Sequence, residues 1–120
     1  MSKLSKAVSI HPYFKINEGR IEDFKALIAE FIASTQTEKT CLYYDFSING
    51  DIAFCREAYV DGEAVLAHLD NVGHHIEASA AFSDMFRLEM HGPAEELAKL
   101  KGPLAELPID YFEREGGAQF

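Results

Sequence analysis

Residues 43–59, YYDFSINGDIAFCREAY, read as two short strands joined by a tight turn. Asn49-Gly50 offers the positive φ angles that a two-residue type I′ turn requires. A loop over those two residues pairs Ile48 with Asp51, Tyr44 with Cys55, Tyr43 with Arg56 and Leu42 with Glu57. Opposed residues share a face and faces alternate along a strand. One face then carries Leu42, Tyr44, Phe46, Ile48, Ala53, Cys55, Glu57 and Tyr59. The other carries Cys41, Tyr43, Asp45, Ser47, Ile52, Phe54, Arg56 and Ala58, with a cluster of Tyr43, Arg56 and Asp45. Glu57 is the one carboxylate on the apolar face. Such a group needs a donor, or a proton taken up because desolvation raises its pKa. Tyr44 and Tyr59 offer hydroxyls on the same side. Either Glu57 reaches water at the strand end, or it lines a pocket that the helices do not close.

The flanking sequence extends the pattern. Val8, Ile10, Phe14 and Ile16 alternate with polar residues, a strand interrupted at Pro12, whose first half is expected at an edge or a bulge. Ile21, Phe24, Leu27, Ile28, Phe31 and Ile32 recur at helical spacing, the strongest periodicity in the chain. A second helix is expected over 62–72, capped by Asp61, with a shorter one over 74–81 after Gly73. Residues 84–90 read as a strand with Phe86, Leu88 and Met90 on one face. The 93–108 segment is helical but broken at Gly102-Pro103, and 109–115 is a last strand. The order β-α-β-β-α-β, with additions, predicts an α+β ferredoxin-like sandwich with an antiparallel sheet, and 1–120 as a single domain.

Composition narrows the partners. Of 120 residues, 48% are hydrophobic, enough for a core, and 20 acidic against 11 basic residues give a net charge of -9. A surface that negative, without a basic cluster, argues against nucleic acid and against an anionic membrane. No apolar run reaches the ~20 residues of a membrane helix, and the N-terminus lacks a signal-peptide core. A cytoplasmic location is expected. Cys41 and Cys55 fall on opposite faces of the predicted hairpin and read as two thiols in a reduced compartment. Five histidines are present; His74 and His75 are adjacent and diverge, the wrong spacing for a helical metal pair. His68 flanks the apolar stripe of the second helix, where a histidine beside a carboxylate is a proton-transfer group.

Three segments together carry a resemblance: EGRIEDF (18–24), CLYYDF (41–46) and FCREAYVDGEAVLAHLDNVGHH (54–75). They resemble the strand-to-helix turn, second strand and glutamate–aromatic–helix stretch of the antibiotic biosynthesis monooxygenase superfamily, the dimeric α/β barrels that include quinol monooxygenases. The resemblance covers about residues 8 to 92. It implies a homodimer with sheets packed face to face, a small-molecule pocket between sheet and helices in each subunit, and a last strand that extends the partner's sheet. It also implies roles: His68 or His74 as base, Glu57 as orienter or proton shuttle, and Tyr44, Tyr59 and Phe24 around the substrate. The expected activity is a cofactor-independent, metal-free oxidation of a small quinol, phenol or polyketide-like aromatic by O2. The chain has no tryptophan, on which the haem-degrading branch relies. Two other uses of the barrel stay open: an isomerase or lyase on a small keto or lactone metabolite, and a binding dimer without chemistry.

Overall fold

The structure is a computed structural model that describes residues 5–118. Strand β1 spans Val8–Ile16, helix α1 Ile21–Thr35, β2 Cys41–Asn49, β3 Ile52–Tyr59, α2 Gly62–Ser79, β4 Ser83–Gly92, α3 Ala94–Lys101 and β5 Asp110–Glu113. The sheet order is β2-β3-β1-β4-β5. The first four strands pair antiparallel, as a ferredoxin-like unit requires, but β5 joins β4 in parallel, so the sheet is mixed. The expected last strand thus extends its own sheet at the β4 edge. Helices α1 and α2 cover one face, over a core that includes Ile10, Phe14, Phe24, Phe31, Val65 and Val72. No helix among the described residues is long and apolar enough to cross a membrane.

Three local departures from the sequence reading are a displaced turn and two bulges. The hairpin turns over Gly50 and Asp51, so Asn49 pairs with Ile52 and Tyr44 with Glu57. Gly50 has φ +63° and no other residue of the turn has positive φ, the arrangement with glycine first that a type II′ turn uses. The register moves by two residues, which preserves every face. At Leu42 the ladder slips, and Cys41 pairs with Tyr59. This bulge turns Cys41 to the helix side, the face of Cys55, instead of the opposite one; both remain free thiols. In β4 the slip falls at Phe86: Tyr13 pairs with Arg87 and Phe14 with Met85. Phe86 therefore turns outward, 52% exposed, and Met85 takes the inward place expected of it.

Strand β1 is central, between β3 and β4, not at an edge. Pro12 lacks the N–H that a ladder needs. The β1–β3 ladder keeps a single register from Ile10↔Glu57 to Tyr13↔Phe54.

Helix α2 is continuous through Gly73, against the expected break. Glycine within a helix costs about 1 kcal/mol relative to alanine, less than burial of Val65, His68 and Val72 on one stripe returns. At its start Asp61 caps the helix, accepting from the Ala64 N–H at 2.8 Å. Gly62 donates its N–H to Glu96 Oε1 of α3 at 2.9 Å. A Cβ on Gly62 would meet the Glu96 carbonyl oxygen at 2.8 Å, whereas one on Gly73 would meet nothing within 4 Å. Gly62→Ala is expected to destabilise the fold by about 1–3 kcal/mol through overpacking. Gly73→Ala should stabilise it by about 0.5–1 kcal/mol, as for an uninterrupted helix. Denaturant titrations measure both; a destabilising Gly73→Ala would contradict the continuous helix.

Candidate functional site

Glu57, near the end of β3, points into the space under α1 and α2 and is 4% exposed. A cavity of about 100 Å³ opens there, lined mainly by aliphatic and aromatic side chains including Ile10, Phe31, Leu69, Val72 and Leu88. Its polar groups are Glu57, His68 and Tyr44. The carboxylate is partnered on one oxygen. Tyr59, fully buried, donates its hydroxyl to Glu57 Oε1 at 2.6 Å. His68 Nε2 lies 3.2 Å from the same oxygen.

His68 reaches this point because α2 places Val65, His68 and Val72 on its buried stripe. Its other nitrogen, Nδ1, lies 2.8 Å from Glu38 Oε2. Glu38 follows α1 in a tight turn, its N–H bonded to the Thr35 carbonyl at 2.9 Å. Asn71, one turn after His68, donates to Glu38 Oε2 at 2.9 Å and to the Ser34 carbonyl at 2.9 Å. One imidazole therefore sits between two carboxylates, Glu57 from the sheet and Glu38 from the helix layer. Burial pushes the His68 pKa down, but the hydrogen bonds and charges of Glu57 and then Glu38 outweigh it, and the net direction is upward from 6.5. As an imidazolium, His68 donates from both nitrogens.

The phenols stay protonated. Burial, followed by the Glu57 charge, raises the pKa of both Tyr44 and Tyr59 far above the ordinary value. Tyr44 meets His68 edge-on, ring centroids 5.4 Å apart, and Tyr59 tilts against it at 4.7 Å. Burial and the nearby Glu38 charge push the Cys41 thiol up to about 11, so it is no nucleophile near neutrality.

Of the residues singled out in the sequence, Glu57, His68 and Tyr44 come together on the cavity. Tyr59 lies behind Glu57. Phe24 packs between Phe14, Phe46 and Phe82, away from the polar end. His74 is exposed, its ring against His75, which in turn lies 2.9 Å from the Ser34 hydroxyl. Glu38 was not foreseen: it stands in a polar turn, TEKT, with no periodicity to mark its direction. His11 and His91 lie on the opposite side of the sheet, ring centroids 4.3 Å apart. There Arg56 pairs with Asp45 at 3.4 Å and stacks over Tyr43, as the hairpin faces predicted. Among the described residues no group of three or more His, Cys, Asp or Glu side chains is placed to hold a metal ion.

Neither a protein-family model nor a curated protein sequence matches the chain. A crystal structure does: MupZ from Pseudomonas fluorescens is 42% identical, with 96% of this chain and 95% of that one covered and a TM-score of 0.92. The chain belongs to the MupZ family. Its fold is that of the antibiotic biosynthesis monooxygenases. A protein from Caulobacter crescentus CB15 that carries that name provisionally superposes with a TM-score of 0.63 at 16% identity, over 72% of this chain and 89% of its own. A second, from Chloroflexus aurantiacus J-10-fl, does so at 0.60 and 17%, over 74% and 94%.

The raised His68 pKa sets a pH dependence of stability. A histidine that binds its proton more tightly when folded stabilises the fold below its unfolded value of about 6.5. That stabilisation is lost as pH rises through the higher folded-state value. The difference in unfolding free energy between the wild type and His68→Gln should therefore shrink on going from about pH 6 to about pH 9, with a limiting slope near 1.4 kcal/mol per pH unit. Urea titrations across that range measure it; a difference that is flat or grows with pH would contradict the assignment.

Proposed function

We propose that the chain is an acid–base enzyme in which Glu57 exchanges a proton with an uncharged, slender, largely aliphatic substrate, in a redox-neutral reaction of the isomerase or lyase kind. The observation that carries this reading is the orientation of the triad. Both His68 nitrogens are engaged by carboxylates, so Glu57, and not the histidine, is the group left to meet a substrate in the cavity. His68 holds and recharges it. This reverses the roles expected from the sequence.

The lining supports the substrate class. It contains no lysine or arginine, so a carboxylate or phosphate on the reacting segment would be buried without a partner. At about 100 Å³ the cavity is smaller than a closed apolar cavity of about 150 Å³ that binds benzene, which favours a slender chain. An aliphatic segment with a carbonyl or hydroxyl fits: Tyr44 donates to the oxygen, Glu57 removes a proton from the adjacent carbon, and the proton returns elsewhere on the same molecule or leaves with a hydroxyl as water. Oxygenation is the second reading. Fold neighbours named as monooxygenases, and one named a possible oxidoreductase, favour it. In that case Glu57 deprotonates a phenol or activated C–H, the anion passes an electron to O2, and the radicals recombine to a hydroperoxide that loses water. The aromatic residues left uncovered on the outer sheet face, Tyr43, Phe86 and Phe112, support a homodimer.

Solvent deuterium uptake tests the first reading. In D2O under nitrogen the protein should exchange the α-hydrogens of a medium-chain aliphatic ketone, and Glu57→Gln should lower the rate by about 10²–10⁴. Oxygen uptake with quinols, lost in Glu57→Gln and accompanied by no exchange, would transfer the assignment to the oxygenase. Neither activity would leave a binding protein.

A further inference from the structure

The triad has an outer end. Glu38 Oε2 takes the His68 and Asn71 hydrogen bonds, but Glu38 Oε1 is buried with no hydrogen-bond partner among the described residues, as is Thr35 Oγ1. Both residues line an open cleft of about 240 Å³ between the end of α1 and the start of β2, together with Gln36, Cys41 and Tyr44. Tyr44 lines both this cleft and the apolar cavity, and so forms the partition between them. A buried carboxylate oxygen without a partner is costly, as is a buried hydroxyl, and a water entering from the cleft and reaching both would satisfy them.

The apolar cavity cannot serve as the proton's exit. Its lining is apolar apart from Glu57, His68 and Tyr44, and a substrate would fill it. From Glu57 Oε1 the steps of 3.2 Å to His68 Nε2, and of 2.8 Å from Nδ1 to Glu38 Oε2, lead away from it.

We propose that the buried site exchanges protons with solvent through Glu38 and a water held by Glu38 Oε1 and Thr35 Oγ1 in the cleft, and not through the substrate cavity. The relay starts from neutral His68 with its hydrogen on Nδ1. A proton taken up by Glu57 passes to the free Nε2, and the Nδ1 proton passes to Glu38 Oε2. Rotation of the Glu38 carboxyl group presents that proton to the cleft water, which takes it, so Glu57 and Glu38 are again carboxylates and His68 is the Nε2–H tautomer. The same route runs in reverse when Glu57 returns a proton to the product, which restores the Nδ1–H tautomer and balances charge and protons over the cycle. Glu38 is a positioning and relay residue that never touches substrate. The titratable groups around His68 are Glu57 and Tyr59 from β3, Tyr44 and Cys41 from β2, and Glu38 from the turn after α1; its neighbour on α2, Asn71, is uncharged.

The proposal rests on the acid–base reading of Glu57, but it is tested in the free protein without a substrate. The probe is the His68 ring, ¹⁵N-labelled, with its N–H exchange with water and its titration midpoint read by NMR. Thr35→Val keeps shape and every contact of His68, and should slow exchange about tenfold with the midpoint unchanged. Glu38→Gln should slow it as much and lower the midpoint. Formate should restore exchange to Glu38→Ala, because the cleft is open. Xenon filling the apolar cavity should leave exchange unchanged. Exchange that xenon slows, and that Thr35→Val and Glu38→Gln leave alone, would overturn the proposal. Loss of ketone exchange together with an intact relay would instead remove the proposed function and leave the route standing.

Discussion

A carboxylate on the core side of a central sheet governs how this molecule is arranged. Glu57 sits where Ile10 and Tyr44 are its cross-strand neighbours. An unpaired charge there would cost several kcal/mol. The surrounding elements supply the partners: β3 itself brings Tyr59 two residues on, and α2 brings His68. A buried imidazolium is in turn costly, and the turn after α1 brings Glu38 to share it. Helix α2 is thus tied to the sheet through His68, and the turn after α1 is tied to α2 through Glu38, in addition to the apolar packing of Phe24, Phe31, Val65 and Val72. A well-packed leucine in place of Glu57 would satisfy the core at least as well; the acid–base role proposed above gives the buried charge a use that packing does not.

Two of these features could be read from residue order and one could not. Period-two alternation assigns faces, and faces survive a register shift of two, so Glu57 was legible as an inward carboxylate although its partner across the hairpin was misplaced. Bulges at Leu42 and Phe86 reverse faces locally, and no residue type at either position marks them. His68 was legible from its place on a helical stripe. Glu38 was not, because a polar turn has no period, and its direction follows from backbone bonds to Ser34 and Thr35 that only the folded chain displays. Gly73 misled because a glycine that punctuates a loop and one tolerated within a helix look alike in sequence. His74, Phe24 and Tyr59 were selected by likeness or by face alone; the fold puts them respectively at the surface, among aromatic rings, and behind the carboxylate.

The comparisons divide the chain in a way the geometry explains. The two fold neighbours described above cover 72% and 74% of it, roughly the share that β1 to β4 occupy, whereas the match to MupZ extends over 96%. Beyond those four strands lie α3, the turns after it and β5. This addition is not decoration. Glu96 of α3 takes the N–H of Gly62 at the start of the helix that carries His68, and the close approach leaves no room for a Cβ. Leu107, in the turns before β5, lines the apolar cavity and also a surface groove beside Met85, Leu88 and Pro108. Glu57, His68 and Glu38 all lie within the β1–β4 unit, while the segment after it fixes one end of α2 and closes one wall of the cavity. Differences in what members of this fold accept are expected to follow that wall, and differences in what they do to a bound molecule to follow the groups around Glu57.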